Sequence, residues 1–281
     1  MNGPQNEAAG SVRRSRWQRF SPSMGWKAFW SEILIVVLGV VIALAANEAA
    51  EDWSWHNKVE DAEARLQGDI AWAFLWAAEK SASQPCVDAQ LSALSRSVLE
   101  SGETLKPAPV LTNLNREFVV RMPNRPYRFP VWDALLADGT ATRFTPQRQT
   151  FLGRISDSMA RARLDEAETH RLVGSLLVMR EPIALDPGVR ADLLTRINEL
   201  RALGMRDALG AQQDMQVIAD AGSAPPDDEV ESFLNASGKH PSGARFSGMA
   251  HFCKTQGLPI GDWRDYRELP ATLNRSAGVG K

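Results

Sequence analysis

Ile33-Leu34-Ile35-Val36-Val37-Leu38-Gly39-Val40-Val41-Ile42-Ala43-Leu44-Ala45-Ala46 is a run of fourteen residues without a charged or hydrogen-bonding side chain. A bilayer core about 30 Å thick needs about 20 helical residues. Extending the run back to Ala28 and on to Asn47 supplies them. The extension places Glu32 about one turn inside the boundary, where a carboxylate reaches headgroup water or takes a proton. Trp26, Phe29 and Trp30 lie beside it and suit the membrane interface.

Arg13, Arg14, Arg16, Arg19 and Lys27 stand at or before the start of this segment, and Glu7 is the one acidic residue in 1–27. The positive-inside rule then puts 1–27 in the cytoplasm of a bacterium, 28–47 across the inner membrane once, and the rest in the periplasm. Two other readings stay open. Ala43-Leu44-Ala45 has the small-x-small pattern of a signal-peptidase site. A buried core helix of a soluble protein is also apolar, although here nothing polar interrupts residues 33–46.

The chain has 281 residues, enough for an anchor and a substantial core. Its formal net charge of -2 gives no argument for nucleic acid as a partner. Cys86 and Cys253 are too far apart in sequence for a CxxC site. In an oxidising compartment they can form one long-range disulfide, and in the cytosol they would be buried thiols.

Residues 48–80 hold no Pro and only Gly68, and are rich in Ala, Glu and Trp, which predicts a helical stalk continuing from the anchor. Val59, Ala62, Leu66, Ile70, Ala73 and Ala77 form an apolar stripe, widened by Phe74 and Trp76. Such a stripe either packs on the same chain or pairs with a second copy. Ser81 to Pro85 is expected to end this helix. Residues 87–99 would form another, with Leu91, Leu94, Val98 and Leu99 inward. Residues 111–121 read as a short helix or irregular segment, with one edge strand in Arg116–Met122 as the alternative.

Residues 131–137 predict a short helix ended by Asp138-Gly139. Thr145-Pro146 and Asp186-Pro187 each carry a helix start, with a capping side chain before a proline whose missing N–H costs nothing. The first helix would run to about Val178, the second to about Ala221, with Gly204 and Gly210 as places to bend or divide. The expected fold is mainly α. The anchor helix and stalk lead into an antiparallel helical bundle over 48–222, followed by an irregular Gly/Ser/Pro-rich extension over 223–281, frayed after about Leu273.

Glu32-Ile33-Leu34-Ile35-Val36-Val37-Leu38-Gly39-Val40-Val41-Ile42-Ala43-Leu44, closing in Asn47 and Trp53, forms one familiar element. Trp132-Asp133-Ala134-Leu135-Leu136-Ala137-Asp138-Gly139 before a long helix forms another. Together they resemble a group of bacterial single-span membrane proteins of uncharacterised function. Those proteins open with a Glu-Ile-Leu-containing anchor and carry a helical exported domain. The resemblance implies an uncleaved anchor and a mostly helical body, and no activity.

Chemistry-bearing motifs are sparse. No Walker motif, dinucleotide loop, nucleophile elbow or HExxH is present. Glu166 and His170 are spaced i,i+4 but lack a nameable third ligand, as do His251 and Cys253. No catalytic residue, metal or cofactor is therefore expected. Arg125, Arg128, Trp132 and Asp133 are the candidate anion or partner site, because loop arginines beside aromatics hold carboxylates and phosphates. Arg161 and Arg163 read as a solvated basic face. The expected role is a structural or protein-interaction protein of the envelope, with the bilayer, a second copy or an envelope protein as partners. A periplasmic small-molecule sensor acting through partner proteins is the alternative, and an envelope enzyme comes last.

Overall fold

Helix α1 (Trp26–Glu100) opens the part of the chain that the structure, a computed structural model, describes: residues 26–108, 111–113, 116–239 and 245–269. The basic residues before Trp26 and the expected frayed tail lie outside it. The chain divides into two units, 1–57 and 58–281.

In the first unit the apolar run is helical and uncovered. Leu34 and Ile35 are 67 % and 69 % exposed, and Val36 to Ile42 and Leu44 are comparable. The most apolar 18-residue window has a mean hydropathy of 2.5, with none of it buried. Among the described residues this is the one segment long and apolar enough to cross a membrane. Burying a Val, Leu or Ile side chain yields about 1.5–3 kcal/mol, so water is a poor solvent for this surface. Trp26, Phe29 and Trp30 make edge-on ring contacts beside it.

In the second unit the stripe on α1 is covered by the chain itself. Ala62, Leu66, Ile70, Ala73, Phe74 and Ala77 are buried, which takes this face away from pairing with a second copy. The expected break at Ser81–Pro85 does not occur, and α1 continues through Pro85 to Glu100. Proline removes one helical N–H and crowds the carbonyls of the preceding turn. Here the Ala82 carbonyl accepts a 2.9 Å bond from the Gly261 N–H. A side chain on Gly261 would meet the Pro85 ring at 3.3 Å, a tight contact that glycine avoids. Cys86, next in sequence, is bonded to Cys253 with S–S 2.08 Å. Leu91, Leu94 and Val98 face inward as expected, but Leu99 is 63 % exposed.

Residues 103–108 bond to 179–185 (Leu105 N–H to Ile183 O, 2.8 Å; Leu185 N–H to Glu103 O, 2.7 Å). Strands β1 (Leu111–Asn113) and β2 (Arg116–Phe118) form a minimal antiparallel hairpin where a short helix or one edge strand was expected. Helix α2 (Pro130–Ala137) ends at Gly139, whose φ of 80° suits glycine. Helix α3 (Pro146–Ser175) is capped by Thr145, which accepts from the Arg148 N–H. A 3-10 turn over Leu176–Arg180 follows. Helix α4 (Pro187–Asp220) is capped by Asp186, which accepts from the Val189 N–H, and neither Gly204 nor Gly210 divides it. Gly204 instead admits the Gln84 side chain at 3.1 Å from where a Cβ would stand.

The C-terminal part is more ordered than its composition implies. It contains α5 (Asp227–Leu234), a hairpin of β3 (Ser237–Lys239) and β4 (Arg245–Ser247), α6 (Met249–Thr255) and a 3-10 turn over Trp263–Glu268. Arg264 and Arg267 both bind Asp227, and Trp263 Nε1 donates to Glu231, so the last turn is fastened to α5.

Two apolar clusters result. One gathers Leu66, Ile70, Phe74, Trp132, Leu152, Met215, Trp263 and their neighbours. The other gathers Leu91, Leu94, Leu105, Leu172, Leu176, Leu193, Ile197 and Phe252.

Candidate functional site

Ile260 packs against both clusters, and beside it the middle of α1 is polar. α1 contributes Glu79, Lys80, Ser81, Ser83, Gln84 and Gln90, of which Glu79, Ser81, Ser83 and Gln90 are buried. The sequence Ser81–Pro85 reads as a loop for this reason, and it is instead the α1 side of an internal polar layer. Gln90 shows how the layer is positioned. Its amide accepts from the Arg121 N–H at 2.7 Å and donates to the Arg121 carbonyl at 3.2 Å. A helix side chain thereby holds the segment after β2 in place as a strand partner would.

Two cavities open onto this layer. The first, about 330 Å³, lies around Glu79, Arg121, Arg125, Glu166, Thr169 and His170, with Phe118, Met122 and Met249 as apolar wall. Arg125 grips Glu79 with two hydrogen bonds of 2.6 and 2.9 Å. The Met249 N–H adds a third bond to the same carboxylate, at 2.8 Å. Arg121 lies over the Phe252 ring at 4.7 Å. Burial lowers the Arg121 pKa, against the pull of Glu79. The Glu166 carboxylate lies 3.3 Å from His170 Nε2, and Asn124 Nδ2 reaches the same nitrogen at 2.7 Å.

The second cavity, about 300 Å³, lies between α1, α3 and α4. Lys80 reaches Asp207 at 3.0 Å and sits 4.3 Å above the Tyr127 ring. Arg206 pairs with Asp165 at 2.6 Å, and the Ser158 hydroxyl donates to Asp214. Tyr127 is buried, has a φ of 38° that is unusual outside glycine, and its hydroxyl finds no hydrogen-bond partner among the described residues. Burial pushes the pKa values of Tyr127, Asp207 and Asp214 up.

Burial, helped by the Asp207 charge and opposed by Lys80, raises Glu166 to a pKa of about 7. From pH 4.5 to 7 the folded chain holds a proton on Glu166 that the unfolded chain has released. Stability gained from this group is full below pH 4.5 and is lost as pH rises to about 7. At about 1.4 kcal/mol for each pH unit, discounted for partial solvation, the loss is about 2 kcal/mol. Glu166→Gln is expected to flatten that part of the pH profile and raise stability at pH 8. Denaturant unfolding of the full chain in micelles at pH 5 and pH 8 measures this, and an unchanged difference between the two pH values would reject it.

The four residues singled out in the sequence are not brought together. Arg125 is committed to Glu79, and Trp132 is buried against Phe144. Asp133 and Arg128 are exposed. No hydrogen bond or ion pair joins any two of the four among the described residues. Trp26, Trp30 and Glu32 are exposed on α1, and Cys253 is taken by its disulfide. No three His, Cys, Asp or Glu side chains come together to hold a metal among the described residues. Glu79, Lys80, Arg121, Tyr127, Arg154, Asp207 and Asp214 were missed. One signal was available: the α1 stripe at 70, 73 and 77 continues to 80 and 81, which calls for a buried lysine or serine.

No family model, curated protein or solved structure matches this chain.

Proposed function

We propose that this chain is a membrane-anchored structural or protein-interaction protein of the bacterial envelope. Residues 28–47 hold it in the inner membrane, 1–27 face the cytoplasm and the body works in the periplasm by binding rather than by chemistry. The uncovered apolar surface of residues 33–46 carries this reading. A soluble core helix would bury that surface. The basic residues before the span support the orientation, and the Cys86–Cys253 bond suits an oxidising compartment. The body is read as an antiparallel bundle, with α4 running against α1 and α3. The pairs Lys80–Asp207 and Asp88–Arg201, and Ser158–Asp214 and Asp165–Arg206, progress in opposite directions and support this. The resemblance of the anchor and of residues 132–139 to single-span bacterial proteins agrees with it.

Alkaline carbonate washing of membranes from bacteria making the full chain is expected to leave it in the pellet. Release of the intact chain, or of a chain shortened to begin after Ala45, would overturn the anchor. A reporter fused behind residue 60 should be active in the periplasm, and activity confined to the cytoplasm would reverse the orientation.

A second reading has an observation of its own. The two cavities on the polar layer are at the small end of ligand-binding volumes and have converging polar groups, which favours a small-molecule sensor acting through partner proteins.

A further inference from the structure

We propose that the cavity between α1, α3 and α4 is a binding site for a small organic oxyanion, a carboxylate or a phosphate monoester, held by Arg154 and Arg161. The inference rests on the ligand-binding reading above and commits it to one site and one ligand class. Arg154 and Arg161 stand seven residues apart on α3, two turns on the same face, and both line the cavity. Neither makes a hydrogen bond or an ion pair among the described residues, whereas Lys80 and Arg206, the other cations of the lining, are each on a carboxylate. Asp214 is the anion whose charge the two arginines feel. It already accepts from Ser158.

Four cations therefore face three carboxylates, Asp165, Asp207 and Asp214. Burial raises the pKa values of two of the three, Asp207 and Asp214, and the positive charges of Lys80 and of the two arginines oppose that rise. A guanidinium offers a planar fork of donors that fits a carboxylate or phosphate, so two of them without partners define an oxyanion end. The Tyr127 hydroxyl adds an independent observation. It belongs to a residue 1 % exposed that lines the same cavity, and it has no hydrogen-bond partner among the described residues. A buried hydroxyl left unsatisfied is costly, and an oxyanion would accept from it. Ala77, Met159, Ala162 and Ala211 give the ligand an apolar wall. A volume of about 300 Å³ suits a single small metabolite.

The test is calorimetric titration of the full chain in nanodiscs with benzoate and phenyl phosphate. Benzylamine and benzyl alcohol serve as the cationic and neutral counterparts. Saturable binding of at least one anion is expected, weakened about tenfold or more in Arg154→Gln/Arg161→Gln. Both arginines are at least partly solvated, so the double variant should fold normally. Tyr127→Phe should weaken the same binding without lowering the unfolding midpoint, an outcome that a purely structural tyrosine would not give. Preference between the two anions separates a carboxylate ligand from a phosphate ester. Anion binding that is indifferent to the two arginine substitutions overturns the site. Binding of the amine or alcohol alone keeps the ligand-binding reading and overturns the oxyanion. Silence from all four probes overturns both, and leaves the anchor untouched because retention in membranes is measured separately.

Discussion

Replacing Cys86 and Cys253 together by alanine is expected to lower the unfolding free energy of the body by about 5 kcal/mol. The bond closes a loop over a sequence separation of 167 residues. Constraining so long a loop in the unfolded chain gives about 5 kcal/mol by chain entropy, at the upper end of what single disulfides contribute. Both cysteines are fully buried in the second apolar cluster, so alanine avoids introducing a hydroxyl there and leaves only a small void. The effect should have a location as well as a size. Three attachments tie the C-terminal part to residues 79–86 of α1: Glu79 to the Met249 N–H, Ala82 to the Gly261 N–H, and Cys86 to Cys253. The disulfide is the one covalent member of the set. Its loss should open residues 227–269 to protease before the rest of the body. Urea unfolding of the full chain in micelles, wild type against the double variant, reads the energy, and mapping of early cleavage sites reads the location. A loss below about 1 kcal/mol would contradict the chain-entropy account.

The sequence was legible wherever side-chain pattern and local backbone chemistry agree. Thr145 and Asp186 cap the two long helices as a capping residue before proline requires, and Gly139 ends the short one. The apolar run at 33–46 is one helix with nothing over it. Misreadings concentrate where polar residues are buried. Ser81-Ala82-Ser83-Gln84-Pro85 has the composition of a loop, yet it is a full turn of α1, buried or half-buried on every side. Composition reports whether a residue can meet water, and in the polar layer Gln84, Glu166 and the charged pairs meet one another or a cavity instead. The site was less legible still. Neighbours in sequence at 125–133 diverge, because α2 carries Trp132 into one cluster while Arg125 turns back to Glu79. The residues that do converge come from 79–80, 121–127, 154–170 and 206–214. Only the tertiary fold brings them together, apart from pairs within one helix such as Glu166 and His170.

Arg125→Met is expected to cost about 3–5 kcal/mol, the second largest effect, because it leaves a buried carboxylate without its countercharge. Glu79 has a side chain 2 % exposed and three hydrogen bonds, two from Arg125 and one from the Met249 N–H. Arg125 also lies over the Phe233 ring at 5.1 Å, so one guanidinium links α1, the loop before α2, and α5. Methionine retains the apolar part of that contact and removes only the charge and the donors. The informative comparison is Glu79→Gln combined with Arg125→Met. Glutamine still accepts from the Met249 N–H but carries no charge, so the double variant should recover most of the loss. A buried ion pair is expensive to break and inexpensive to replace as a pair. Urea unfolding of the two single variants and the double variant completes the cycle. If the double variant is as unstable as the sum of the singles, the pair is not coupled. Glu79 would then be stabilised mainly by the backbone of α6 and the nearby Arg121 charge, and the polar layer would depend on the C-terminal part more than on Arg125.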